Sequence, residues 1–173
     1  MHIFLQGPKR IGKSTVIRRT LEIMLADMPL RLGGFFTWNG GRDDPYVYIR
    51  PACDSGKEER YRIASYDFVK GGLTANIAAF ELEGVQLLRE RTDADLIIMD
   101  ELGFLESDAP AFKQAVLDVL DECVPVFGVL RLGDVEWHKE IKRNPSVALY
   151  DINFDNRDDL PQELAEALKA QIC

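Results

Sequence analysis

The first fifteen residues restrict the fold more than any other part of this chain. Met1–Gln6 (M-H-I-F-L-Q) is a short apolar run that leads directly into Gly7-Pro8-Lys9-Arg10-Ile11-Gly12-Lys13-Ser14-Thr15, which satisfies G-x-x-x-x-G-K-S/T at every fixed position. In Ser14–Ala26 the apolar residues Ile17, Leu21, Met24 and Leu25 recur on one helical face. A glycine-rich turn between a buried strand and a helix is the setting in which backbone N–H groups wrap a polyphosphate at the positive end of the helix. Gly7 to Thr15 are therefore the candidate nucleotide-binding residues, with Lys13 reaching the β- and γ-phosphates and the Ser14 hydroxyl ligating Mg²⁺. The side chains of Lys9 and Arg10 read either as further phosphate contacts or as solvated.

Beyond the first helix, Gly33-Gly34 and Asn39-Gly40-Gly41 bracket Phe35–Trp38, a run of aromatic and β-branched residues with turn chemistry on both sides. Tyr46–Arg50 and Arg60–Ala64 are two more short strands, separated by Pro51 and the polar Asp54–Glu59. Together these predict a small antiparallel β-insert over residues 33–66, placed as a lid or as an extension of the sheet edge. Lys70-Gly71-Gly72 breaks the chain before a helical stretch at Asn76–Arg91, and Leu96–Met99 reads as a strand buried on both faces. Helix then strand follow at Ala111–Cys123 and Val126–Leu130. Trp137–Arg143 reads as a mostly solvated helix, Val147–Ile152 as the last strand and Pro161–Ile172 as the last helix. The alternation predicts a single α/β domain over residues 1–173, with a mainly parallel sheet and helices on both faces.

Asp100-Glu101 closes the Leu96–Met99 strand, and open parallel sheets gather ligands beyond their carboxyl ends. Asp100 is placed to hold the Mg²⁺ shell and Glu101 to orient and deprotonate an attacking water. A kinase, which aims its γ-phosphate at a bound acceptor, does not need that second acid. Hydrolysis is thus the first expectation, with a small-molecule or nucleotide kinase and a nucleotide-dependent switch as alternatives. Asn156-Arg157-Asp158-Asp159 echoes a guanine clamp and reads either as nucleotide contacts from Asn156 and Arg157 or as a cap for the next helix.

Asp100-Glu101-Leu102-Gly103-Phe104-Leu105-Glu106 resembles the D-E-I/L-G-x-M/L-E stretch of a small nucleoside-triphosphatase family known from thermophiles and, in vertebrates, as cancer-related nucleoside triphosphatase. Gly34–Thr37, Trp137–Pro145 and Asp155–Pro161 fit the same family in order. The resemblance implies Mg²⁺-dependent hydrolysis of ribonucleoside triphosphates to diphosphate and phosphate, with loose base preference. It also implies a P-loop NTPase fold of the additional-strand, catalytic-glutamate branch, with Lys13, Ser14, Asp100 and Glu101 in the roles given above. Glu106 matches the last acid and has no role assigned. Where relatives carry a histidine followed by basic residues, this chain reads Val129-Leu130-Arg131-Leu132-Gly133. Arg131 is the local candidate for a catalytic cation, its alternative being an edge arginine paired to Asp134 or Glu136.

Composition limits the partners. A net charge of −8 and a pI near 4.8 oppose a general nucleic-acid or anionic-membrane surface, so neither is expected and any polyanion must find a local site. Cys53, Cys123 and Cys173 are odd in number and widely spaced, as in free thiols of a reducing cytosol. The start at Met1 shows no charged-then-apolar leader, and a cytoplasmic monomer or weak homo-oligomer is expected.

Overall fold

The computed structural model describes residues 1–41, 43–53, 59–69, 71–90 and 93–172. The 54–58 stretch, Lys70, Arg91 and Cys173, which the sequence reading used, lie outside the described residues. Eight strands form one sheet: β1 (His2–Gln6), β2 (Leu32–Asn39), β3 (Tyr46–Pro51), β4 (Tyr61–Tyr66), β5 (Leu73–Ala75), β6 (Leu96–Leu102), β7 (Val126–Leu130) and β8 (Val147–Asp151). Their order across the sheet is β5-β4-β3-β2-β6-β7-β1-β8. Pairing is parallel from β2 through β6, β7 and β1 to β8, and antiparallel among β2, β3, β4 and β5. The helices are α1 (Lys13–Asp27), α2 (Ile77–Ala79), α3 (Val85–Arg89), α4 (Pro110–Leu120), α5 (His138–Arg143) and α6 (Leu160–Lys169).

Side chains alternate across each strand, so one strand feeds two cores. Ile3 and Leu5 of β1 pack with Ile17 and Met24 of α1 and Leu164 and Leu168 of α6. Phe4 between them points to the opposite layer, with Phe112 and Val116 of α4. There the Phe112 ring stands 5.8 Å from Phe35 and 5.2 Å from Phe80, a tilted aromatic cluster that ties α4 to β2. Both buried histidines are held within this framework. His2 Nδ1 accepts from the Val126 N–H at 3.2 Å, and the His138 ring lies edge-on to Trp137.

The fold departs from the sequence reading at three places. Phe35–Trp38 was expected inside the 33–66 insert, yet β2 also runs parallel to β6, from Leu32 beside Leu96 to Phe36 beside Asp100. The turn after α1 returns the chain to the sheet in a strand–helix–strand crossover, which makes β2 a core strand that the insert then extends to β5. The helical stretch after Asn76 is interrupted by a π turn at Phe80–Gly84, and the Asn76 side chain caps α2 by accepting from the Ala79 N–H at 3.3 Å. Around α5, Lys139, Glu140, Lys142 and Arg143 are exposed as a mostly solvated helix requires, but Trp137, His138 and Ile141 form a buried side that packs against β8 and α4. Among the described residues no helix is long and apolar enough to cross a membrane, and Cys53 and Cys123 are free and exposed.

Candidate active site

The parallel strands end on one edge of the sheet, and the loop after β1 lies along it. Gly12 caps α1 with φ 110°, a conformation that strains a residue with a Cβ. At Gly7 a Cβ would lie 2.7 Å from the Ile152 carbonyl oxygen, so glycine lets the loop sit against the exit of β8. Ile11 is buried and anchors the loop from beneath, while Lys9 and Arg10 stay exposed on the cleft wall. Lys13 is only 8% exposed, and its Nζ donates to the Gly7 and Pro8 carbonyls at 3.0 Å each. Burial lowers its pKa, opposed by the charges of Glu101 and Asp100. The first turn of α1 contains no acid, so none of its own side chains neutralises its positive end.

Ser14 meets the acid pair. It lies near the buried Asp100 carboxylate, which brings the loop to the end of β6. Burial, then the neighbouring Glu101 charge, push Asp100 up to about 7, against the pull of Ser14 and Lys13. The Glu101 side chain is 32% exposed, and its Oε1 lies 3.6 Å from Arg131 Nη1. Its backbone N–H donates to Thr37 Oγ1 at 3.1 Å, so β2 fixes the end of β6 that carries Glu101. Thr37 was legible only as part of Gly34–Thr37, and nothing in the sequence signalled this contact. Among the described residues the ion pair of Arg131 is with Glu101, and Glu136 pairs instead with Lys139.

These groups open into a cleft of about 810 Å³. Lys13, Ser14, Glu101 and Arg131 form one wall, and Tyr46, Tyr66 and Phe68 of the antiparallel extension face them. A sequence profile of a family described as NTPase matches residues 2–165. The chain belongs to the NTPase family. It is 31% identical to the nucleoside-triphosphatase THEP1 of Methanosarcina barkeri, over 98% of each chain. It is 27% identical to that of Natranaerobius thermophilus, over 99% of this chain and 98% of the relative. The crystal structure of THEP1 from Aquifex aeolicus superposes with a TM-score of 0.77 at 24% identity, over 98% of this chain and 99% of that one, and shares the fold.

In this NTPase the end of β6 is braced from below. The Gly103 N–H donates to the buried carboxylate of Glu106, and Trp137 Nε1 donates to the Gly103 carbonyl at 3.0 Å. A Cβ at Gly103 would stand 3.3 Å from Arg131 Cδ, so the braced glycine also sets the path of the Arg131 side chain. Burial pushes Glu106 up to about 7 despite the Gly103 N–H. The folded protein therefore keeps a proton that the unfolded chain releases at an ordinary carboxyl pKa, and stability falls as pH rises through that interval to about 7. Glu106→Gln keeps an acceptor for Gly103 without the ionisation. Denaturant unfolding is expected to show a gain of at most about 3 kcal/mol at about pH 8 and a smaller one at about pH 5. Equal changes at both values would show that ionisation is not the cause.

Asn156 and Arg157 lie off the lining of the cleft. Asn156 Oδ1 accepts from the Asn153 N–H at 2.9 Å and its Nδ2 donates to the Asp151 carbonyl at 2.8 Å, so both ends of the amide are used inside the β8–α6 loop. The Arg157 guanidinium is centred 5.0 Å from the ring of exposed Phe154.

Proposed function

We propose that this NTPase hydrolyses nucleoside 5′-triphosphates to diphosphate and phosphate in a Mg²⁺-dependent reaction with broad base preference. The observation that carries this is the convergence of Lys13, Ser14, Glu101 and Arg131 on one cleft, with Asp100 buried beside Ser14 and Lys13. A hydroxyl and a carboxylate are hard oxygen donors of the kind Mg²⁺ takes in small number beside phosphate and water. Ser14 and Asp100 would hold the ion, which supplies charge neutralisation between the β- and γ-phosphates.

The chain does the rest. Backbone N–H groups of Gly7–Thr15 wrap the triphosphate, and Lys13 reaches its β- and γ-oxygens. Glu101 takes a proton from water as the water oxygen bonds to the γ-phosphorus, and the bond from that phosphorus to the β–γ bridging oxygen breaks. Lys13 and Arg131 meet the charge that collects on the leaving diphosphate. Outside the cleft lining, the Phe154–Arg157 pair on the β8–α6 loop offers a flat surface for a base that extends beyond the cleft, with Asn156 holding the loop in shape, and stacking favours broad base preference. We place the reaction in the cytoplasm on the free thiols of Cys53 and Cys123, and take the protein as a monomer or weak homo-oligomer.

Phosphate release from ATP, GTP, CTP and UTP is expected with no acceptor present, and excess EDTA is expected to stop it. If phosphate leaves ATP only when a nucleoside or other acceptor is supplied, the reaction is transfer and the hydrolase reading fails.

A further inference from the structure

One face of the antiparallel extension meets the cleft at Tyr46 and continues beyond it. The opposite face, with Ile49 and Ile63, is buried against Ala79 and Phe80. On the free face the guanidinium of Arg50 is centred 4.9 Å from the Phe36 ring. That of Arg60 stands 5.4 Å from Trp38 and 4.8 Å from Tyr48, and that of Arg62 stands 4.1 Å from Tyr46. Cation–π pairs of note occur roughly once in 70–80 residues, so four within one short stretch of sheet mark a built surface.

Charge sharpens the point. The chain has 29 acidic and 21 basic residues, yet the three arginines form no ion pair among the described residues. The neighbouring acid, Asp44, accepts from the Tyr48 hydroxyl at 2.8 Å. An exposed sheet is ordinarily protected by cross-strand pairs of opposite charge. Here a ring lies against each guanidinium, and Arg62 also interacts with the Tyr48 hydroxyl. Arg50, Arg60 and Arg62 are exposed, and Trp38 is 45% exposed.

We propose that this face binds a single-stranded polynucleotide, its bases stacking on Trp38 and on the guanidinium planes and its phosphates pairing with the three arginines. Alternating rings and cations complement alternating bases and phosphates, and an open sheet face presenting aromatics is a known platform for unpaired bases. The overall acidity of the chain confines binding to this patch. The surface meets the nucleotide cleft at Tyr46, but Trp38, Arg50, Arg60 and Arg62 do not line that cleft, so tests on these four are independent of the hydrolase reading.

The test is fluorescence anisotropy of a labelled oligouridylate of about 20 nucleotides, longer than the ~4–16 that one such domain covers. Binding is expected at about 10⁻⁶–10⁻⁴ M in low salt, with a log–log salt slope near −2, as three arginines at about 0.7 each imply. Arg60→Glu combined with Arg62→Glu is expected to weaken it at least ~10-fold with phosphate release from ATP unchanged, and Trp38→Ala at least ~5-fold. Saturating ATP is expected not to compete. Absence of binding at about 10⁻⁴ M protein overturns the proposal, as does affinity untouched by the arginine pair or abolished by ATP. Equal affinity for an RNA duplex, or for anionic vesicles with no effect of Trp38→Ala, shows a surface that reads charge alone and overturns it as well.

Discussion

Lys13→Ala is expected to lower phosphate release by at least ~10²–10³-fold and to weaken nucleotide binding severely. The ammonium is held inside the loop by two carbonyls at 3.0 Å and is 8% exposed, so its charge acts through little water on the phosphates that the loop surrounds. It also offsets the negative charge that Asp100 and Glu101 bring to the same corner. Without it, a triphosphate would enter beside two acids with only backbone amides and Arg131 to balance them. Fluorescent-nucleotide titration and single-turnover phosphate release, with circular dichroism to confirm folding, check the expectation. A folded Lys13→Ala protein that binds and hydrolyses like the wild type would remove the loop from the reaction.

Glu101→Gln is expected to separate binding from chemistry. Turnover should fall by roughly 10²–10⁴-fold, the usual contribution of a positioned general base, while affinity for the triphosphate changes only a few-fold. Glutamine keeps the size of the side chain and its place beside Arg131, and the backbone hydrogen bond to Thr37 Oγ1 does not depend on the carboxylate. What disappears is the capacity to take a proton. Wild-type turnover in this variant would sink the proposed mechanism. A drop matched by an equal loss of affinity would mean that Glu101 holds charge in the site rather than moving a proton.

The reach of sequence reasoning differed between the two halves of the site. Gly7–Thr15 could be read residue by residue because a phosphate loop is local: its glycines, lysine and serine are consecutive, and strand and helix periodicity flank them. Asp100-Glu101 was visible as two acids ending an apolar strand. That Asp100 lies near Ser14, that Thr37 anchors Glu101, and that Glu106 and Trp137 brace Gly103 from two sides are relations between residues 3 to 86 positions apart. Spacing carries no signal for such contacts.

Arg131 and Asn156 were open in the sequence and differ in outcome for the same reason. Each had an acid or a turn nearby that could absorb it, and only packing decides. Arg131 pairs across strands with Glu101, whereas the Asn156 amide closes its own loop. The double pairing of β2, parallel to β6 and antiparallel to β3, was likewise outside local reach, since both partners are compatible with the same run of aromatic and β-branched residues. The sequence alone thus determined the alternation of strand and helix, the loop and the strand-end acids, because these follow from neighbours along the chain. The order of the strands, the meeting of Ser14 with Asp100 and the row of arginines over aromatic rings were decided only in three dimensions, where sheet register brings distant residues side by side.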